Sequence, residues 1–239
     1  MIDIIKYTID RFPIGFVFTS SDFPIEVNKL KAVNKAINAL VAQGKIRRLS
    51  KGRFYKPQIG KFGELQPDTY QIVKDLIEKN GKPIGYLTGY SVFNDLGLTT
   101  QIPASLRIAT RKEKKAITRG IYRISFVKQE NTITKENIPL FQLLDCLRFF
   151  KEIPDTMPDN ACKRLLVLFK DLTTAQITIV KKLVLKYNPA TIAFLGAMLV
   201  AINENEDTTA LFNALNPMTS YKMGISAKIL PTQRKWYIR

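Results

Sequence analysis

Between residues 29 and 43 the apolar positions Leu30, Val33, Ile37, Leu40 and Val41 recur at spacings of three and four, with Lys29, Lys31, Asn34, Lys35 and Asn38 on the intervening positions. That period predicts a helix over 28–43 with one side for a core and a polar, cationic side for solvent. Gly44 supplies its stop. The following KIRRLSKGRFYKP predicts two short strands, 45–49 and 53–56, reversing at Ser50-Lys51-Gly52. Upstream, Ile2, Ile5 and Ile9 predict a first helix over 2–12, ended by Pro13-Ile14-Gly15. Phe16-Val17-Phe18 predicts a small strand. Thr19 or Ser20 is placed to cap a second helix through Ser21-Asp22-Phe23, which Pro24 breaks. Three helices followed by a basic hairpin is the layout of a winged helix-turn-helix, here over residues 1–60.

Residues 58–65 (QIGKFGEL) predict a glycine-containing linker, and a second domain is expected over 64–239. Its first part, 64–130, has a mixed α/β pattern. Pro67 suits a helix start; Tyr70, Val73 and Ile77 mark that helix's apolar side and Asn80-Gly81 its stop. Residues 86–97 predict a turn and a short helix closed by glycine. The alternating segments 105–110 (SLRIAT) and 121–127 (IYRISFV) predict a long antiparallel hairpin around a basic tip. From 131 to 239 the pattern is mainly helical, with helices expected at 140–151, 160–170, 175–186, 191–203 and 208–215. Pro154, Pro158, Thr173 and Pro189 punctuate them. The tail, 224–239, is expected to be extended and basic and carries the only tryptophan, Trp236. The expected class is therefore α+β: an N-terminal winged helix-turn-helix, a mixed α/β module and a helical C-terminal region.

Charge sharpens this picture. The chain has a net charge of +17, and residues 1–63 hold twelve Lys and Arg against four Asp and Glu, a net of +8. An excess concentrated this way favours a polyanion, and nucleic acid is the first candidate. On the expected third helix, Asn34 and Asn38 stand one turn apart, where a carboxamide can pair bidentately with adenine. Lys29, Lys31 and Lys35 would meet phosphates, which positions a protein without specifying sequence. Lys45, Arg47, Arg48, Lys51 and Arg53 give the hairpin a dense charge, with Arg47 and Arg48 expected to face solvent and the tip able to enter a minor groove. Six such cations on phosphates would give log K a slope of about −5 against log salt. Arg111, Lys112, Lys114, Lys115 and Arg119 form a second basic site. It suits further DNA contacts, an acidic or RNA-bound partner, or a hairpin tip guarded against edge pairing.

Little else points to chemistry. Histidine is absent, and the two cysteines, Cys146 and Cys162, match no zinc spacing and read as core thiols. No phosphate-loop, dinucleotide, nucleophile-elbow or paired-acid metal motif occurs. Neither metal, cofactor nor catalysis is expected. Asp145, inside an apolar helix, is expected to be a partly buried carboxylate paired with Arg148 or a helix N-terminus. The chain opens without an apolar signal core, and its longest apolar run, 190–202, is too short to span a bilayer. A cytoplasmic protein without membrane contact is expected.

The run KAINALVAQGKIRRLSKGRFYKP at 35–57 resembles the N-terminal winged helix of AbiEi-type antitoxins, regulators in type IV toxin–antitoxin pairs. YLTGYSVFNDLGLTTQIPASLRIAT at 86–110 resembles the segment that follows in their antitoxin domain, and the combination with Gly-Leu-Thr-Thr-Gln-Ile-Pro at 97–103 is the more specific signal. The likeness covers about residues 1–150, with Asn34 and Asn38 standing where relatives often carry basic residues. It implies a bacterial abortive-infection (phage defence) antitoxin. That protein would repress its own promoter through inverted repeats in double-stranded operator DNA. It also implies a partner toxin with a nucleotidyltransferase fold, encoded alongside and neutralised through the C-terminal region, with or without a stable complex. The rival classes are a plasmid replication initiator or partition-type DNA-binding protein, which a second winged helix around 105–127 would favour, and a nucleic-acid-modifying enzyme, which needs a carboxylate-lined cleft.

Overall fold

The structure, a computed structural model, describes residues 2–61, 63–101 and 105–239. Ile102-Pro103, the end of the run quoted above, and Phe62 of the expected linker lie outside the described residues. The architecture is mixed α+β. The chain divides into two units, Met1–Leu76 with Ile117–Arg123, and Ile77–Ala116 with Ile124–Arg239. The sequence pattern had put the division at residues 60–64.

In the first unit, α1 (Ile2–Arg11) buries Ile5 and Ile9, and β1 (Val17–Phe18) follows. The expected second helix is only a 3₁₀ turn, Ser20–Asp22, closed by a capping box in which the Asp22 carboxylate accepts from Thr19 N at 2.6 Å. It goes no further because Phe23, which precedes Pro24, is driven into an extended conformation (φ −96°, ψ 135°). A second 3₁₀ turn, Val27–Lys29, leads into α2 (Leu30–Ala42), whose buried side is Val33, Ala36, Ile37 and Leu40. Gly44 takes φ +73° and turns the chain. β2 (Arg47–Ser50) and β3 (Arg53–Tyr55) pair antiparallel with Arg48 opposite Phe54 and a register shift between Arg48 and Ser50. β1 pairs antiparallel with β3, giving the strand order β1-β3-β2. The core beneath joins Ile5, Phe18, Ile37, Leu40 and Phe54. Phe12 lies against Phe16, Phe18 and Phe23 with ring centroids 5.0 to 6.0 Å apart.

Where a linker was expected, β4 (Gln58–Gly60) and β5 (Gly63–Leu65) form a hairpin. Gly63, at φ +112°, occupies a conformation that only glycine adopts freely. α3 (Thr69–Ile77) then buries Ile72, Val73 and Ile77, while Tyr70 stays exposed.

The second unit opens with β6 (Glu78–Lys79) and β7 (Lys82–Pro83), joined by Asn80 and Gly81 at φ +51° and +73°, the paired positive φ of a tight hairpin. β8 (Gly85–Thr88) stands where the sequence suggested a turn, and α4 (Tyr90–Asp95) follows as expected. β9 (Ser105–Thr110), β10 (Ile117–Arg119) and β11 (Tyr122–Lys128) come next. β9 lies between β8 and β11, and its pairing with β8 is antiparallel from Gly85↔Thr110 to Thr88↔Arg107. β10 and the 122–123 end of β11 count with the first unit.

Five helices then follow the expected order: α5 (Ile138–Arg148), α6 (Pro158–Lys170), α7 (Thr174–Val184), α8 (Pro189–Ile202) and α9 (Thr209–Asn213). α8 is apolar on all sides and buried from Thr191 to Leu199, which makes it the axis of this core. The tail is not extended. Its 230s form a 3₁₀ turn, Pro231–Trp236, and Tyr221 N donates to Tyr237 O at 2.8 Å while Arg239 N donates to Tyr221 O at 2.8 Å. Burial of Leu230, Trp236 and Ile238 drives this fold-back. Trp236 seats over Gly196 of α8, where an added Cβ would lie 2.1 Å from the ring. Among the described residues no helix is long and apolar enough to cross a membrane.

Candidate nucleic-acid interface

The amphipathic period of α2 leaves Lys31, Asn34, Lys35 and Asn38 exposed on its outer side. One contact joins that side to the hairpin: an Arg48 guanidinium N–H donates to Asn38 Oδ1 at 2.6 Å. The same guanidinium lies over the Phe54 ring, 5.4 Å from its centroid, a cation–π contact that adds to the hydrogen bond in placing Arg48. α2's polar side and β2 therefore share one surface. Lys31, Lys35, Lys45 and Lys51 are exposed on this unit, and none has a carboxylate within ion-pair distance among the described residues. Lys29 is exposed too, but pairs with Glu26 at 3.1 Å.

The remaining hairpin cations are not free. Arg47 is half-buried: its Nε and a terminal nitrogen meet the two Glu64 oxygens at 2.9 Å each, and another N–H donates to Gly44 O at 2.8 Å. The Arg47 side chain is still 39% exposed, close to the solvent-facing position expected, but this bidentate pair ties it to Glu64 so that it is no longer a free cation. The cause is the β4–β5 hairpin, which brings Glu64 back to β2. Arg53 pairs with Asp75 at 2.6 Å. Arg119, expected in the second basic site, is 5% exposed and donates to Asp75 and to Ile72 O, the latter at 2.7 Å. Burial pushes the Asp75 carboxyl up, but hydrogen bonds from Arg119 and Arg53 outweigh it and hold the group below the usual carboxylate range. The rest of the second site, Arg111, Lys112, Lys114 and Lys115, is exposed on the β9–β10 loop of the second unit.

A separate polar cluster sits inside the second unit, which sequence reasoning reached only through Asp145. Asp145 on α5 is 1% exposed. Its Oδ2 accepts from Tyr86 Oη at 2.9 Å and Thr88 Oγ1 at 2.8 Å, both on β8, and its Oδ1 has no partner. Gln129 Nε2 donates to both Tyr86 and Tyr187 hydroxyls at 2.8 Å, and Gln129 Oε1 accepts from Asn131. Desolvation pushes Asp145 up to about 6, against the opposing hydrogen bonds of Thr88 and Tyr86 and the charge of Arg148. The expected direct pairing with Arg148 is absent; that guanidinium donates to Lys128 O at 3.1 Å. Only strand pairing fifty-odd residues away could have revealed these partners. Burial also pushes the Cys146 and Cys162 thiols up, Cys162 to about 12, so neither is a nucleophile at neutral pH. Among the described residues no cluster of three or more His, Cys, Asp or Glu is arranged to hold a metal.

Fold and surface together define an α+β protein of two units, the first with a cationic helix-and-hairpin surface. The chain belongs to a family of unknown function, DUF6088, whose model matches residues 4–177. Its fold is similar to the crystal structure of the RV2827C protein from Mycobacterium tuberculosis, with a TM-score of 0.61, 13% sequence identity, and coverage of 92% of this chain and 83% of that one. At that identity the likeness is one of fold alone. No curated protein matches the chain.

Proposed function

We propose that residues 1–60 are a winged helix-turn-helix that binds double-stranded operator DNA, with α2 entering the major groove and β2–β3 as the wing. The observation that carries this is the Asn38–Arg48 hydrogen bond of 2.6 Å, which aligns helix face and hairpin along one surface. The element order and the strand order β1-β3-β2 support it, as do the exposed Lys31, Lys35, Lys45 and Lys51. The fuller function is that of a non-catalytic, type IV antitoxin: autorepression through inverted repeats, and neutralisation of a nucleotidyltransferase-like toxin through the second unit. This part rests on the resemblance at 35–57 and 86–110.

The test is titration of the protein on its own promoter and on scrambled duplex at two salt concentrations. Lys31, Lys35, Lys45, Arg48 and Lys51, the candidate contact cations that have no ionic partner among the described residues, give an expected log–log salt slope of about −4.5. Arg48→Ala lowers affinity, whereas Arg47→Ala acts through stability. Equal affinity for promoter and scrambled DNA overturns the repressor. Failure of the intact chain to rescue growth when co-expressed with the neighbouring gene overturns the antitoxin.

A further inference from the structure

A groove of about 670 Å³ opens in the second unit between the β6–β7 turn and the loop after β9. Lys79, Arg111, Lys112 and Lys114 stand along it, and no carboxylate is among its lining residues. Its apolar part is Pro83, Ile84 and Ile133. We propose that this groove binds a single-stranded polynucleotide, its phosphates on the four cations and its bases against Pro83, Ile84 and Ile133.

The cations are available for such a role. The nearby Glu130 carboxylate is engaged by Lys128 at 2.8 Å, and Arg111 spends one N–H on the Glu130 backbone oxygen at 3.1 Å, leaving its other donors. Lys114 Nζ is 5.4 Å from the centroid of the Phe126 ring, which steadies it without neutralising it. Among the described residues Lys79 and Lys112 have no ionic partner. Four cations around a concave apolar surface suit a chain that carries one charge per residue and bare base faces. A duplex stacks its base faces inward and offers the apolar part only thymine methyl groups in the major groove. The Thr110 hydroxyl is already given to Lys112 O at 2.7 Å, which leaves Thr132 as the lining hydroxyl able to meet a base or a sugar. Most of the binding then comes from phosphates and base faces, with little dependence on base order or on ribose against deoxyribose. The site lies in a different unit from the duplex surface, on different residues, and stands or falls without it.

The experiment is fluorescence anisotropy with the full chain, using labelled oligouridylate, oligothymidylate and promoter duplex. Four phosphates on the groove give a salt slope of about −3 for the single strands. The double variant Lys112→Glu/Lys114→Glu, both exposed positions, is expected to weaken both single strands by about tenfold or more while promoter duplex affinity and the urea midpoint stay unchanged. Lys31→Glu/Lys35→Glu is expected to do the reverse. An abasic strand of the same length is expected to bind several-fold more weakly than oligothymidylate. Single-strand affinity that ignores the groove variant, or that falls only with the α2 variant, overturns the site. Abasic and intact strands binding alike overturn the part given to Pro83, Ile84 and Ile133.

Discussion

Asp145 gives the sharpest quantitative expectation. Its carboxyl is held at about 6 in the folded chain, against an ordinary value of 3.8, by full burial that two hydroxyl donors only partly offset. A raised folded-state value means that the native protein binds the proton more tightly than the unfolded chain does. The associated stability is complete below pH about 4 and is lost as pH rises through about 6. At 1.36 kcal/mol per pH unit the whole difference is about 3 kcal/mol, and about 2 kcal/mol of it falls between pH 4.5 and 7.5. Asp145→Asn cannot titrate, so wild-type stability measured against that variant should fall by about 2 kcal/mol over this range. Urea unfolding followed by Trp236 fluorescence at four pH values reads the double difference, in which other titrating groups cancel. Thr88→Val, which removes a hydroxyl that favours the ionised form, should push the carboxyl higher and steepen the fall. A flat difference, or one that rises with pH, would show that Asp145 is solvated or ion-paired in solution and that the buried cluster is misassigned.

Two further outcomes follow from packing. At Gly196→Ala the new Cβ would meet the Trp236 ring at 2.1 Å, with the indole 1% exposed and edged by Phe212 at 5.5 Å. Overpacking of about 3 kcal/mol should outweigh the ~1 kcal/mol helix preference for alanine, leaving a loss of about 2 kcal/mol in the urea midpoint analysis; equal or greater stability contradicts it. Arg119→Ala should cost about 2 kcal/mol, discounted from a fully buried pair because the Asp75 side chain is 47% exposed, and should leave duplex affinity unchanged; the reverse pattern would return Arg119 to the binding surface.

What the sequence disclosed was local. The α2 period is carried by its own five apolar residues, and α8 is bounded by Asn188, whose Oδ1 accepts from Thr191 N at 2.9 Å, and by Pro189 at its first turn. The β2–β3 turn sits on Gly52 at φ +73°. What stayed hidden depended on partners distant in sequence. QIGKFGEL has no alternation to mark a strand, and becomes a hairpin through its glycines. The tail has no period, and folds back because Trp236 finds the space over Gly196. Arg47 reads as a free wing cation until Glu64, seventeen residues on, reaches it.

That last pairing changes where sequence discrimination can reside. By sequence the hairpin is the richer half of the proposed interface, yet Glu64 and Asp75 claim Arg47 and Arg53, and among the described residues the unpaired charge left on this unit is mostly lysine. Lysine is a point charge that follows phosphates and supplies affinity without choice of base. In the proposed repressor, choice would then depend on the two asparagines of α2, and they are not equivalent. Asn38 already gives one lone pair of its oxygen to Arg48, which fixes the direction of the amide and leaves its N–H donors and one lone pair for a base. Among the described residues Asn34 makes no side-chain hydrogen bond, and keeps both donor and acceptor for the two-point contact that adenine requires. In the proposed repressor, Arg48 with Asn38 fixes the relation of helix to hairpin, the lysines fix the protein on the backbone, and Asn34 does the reading.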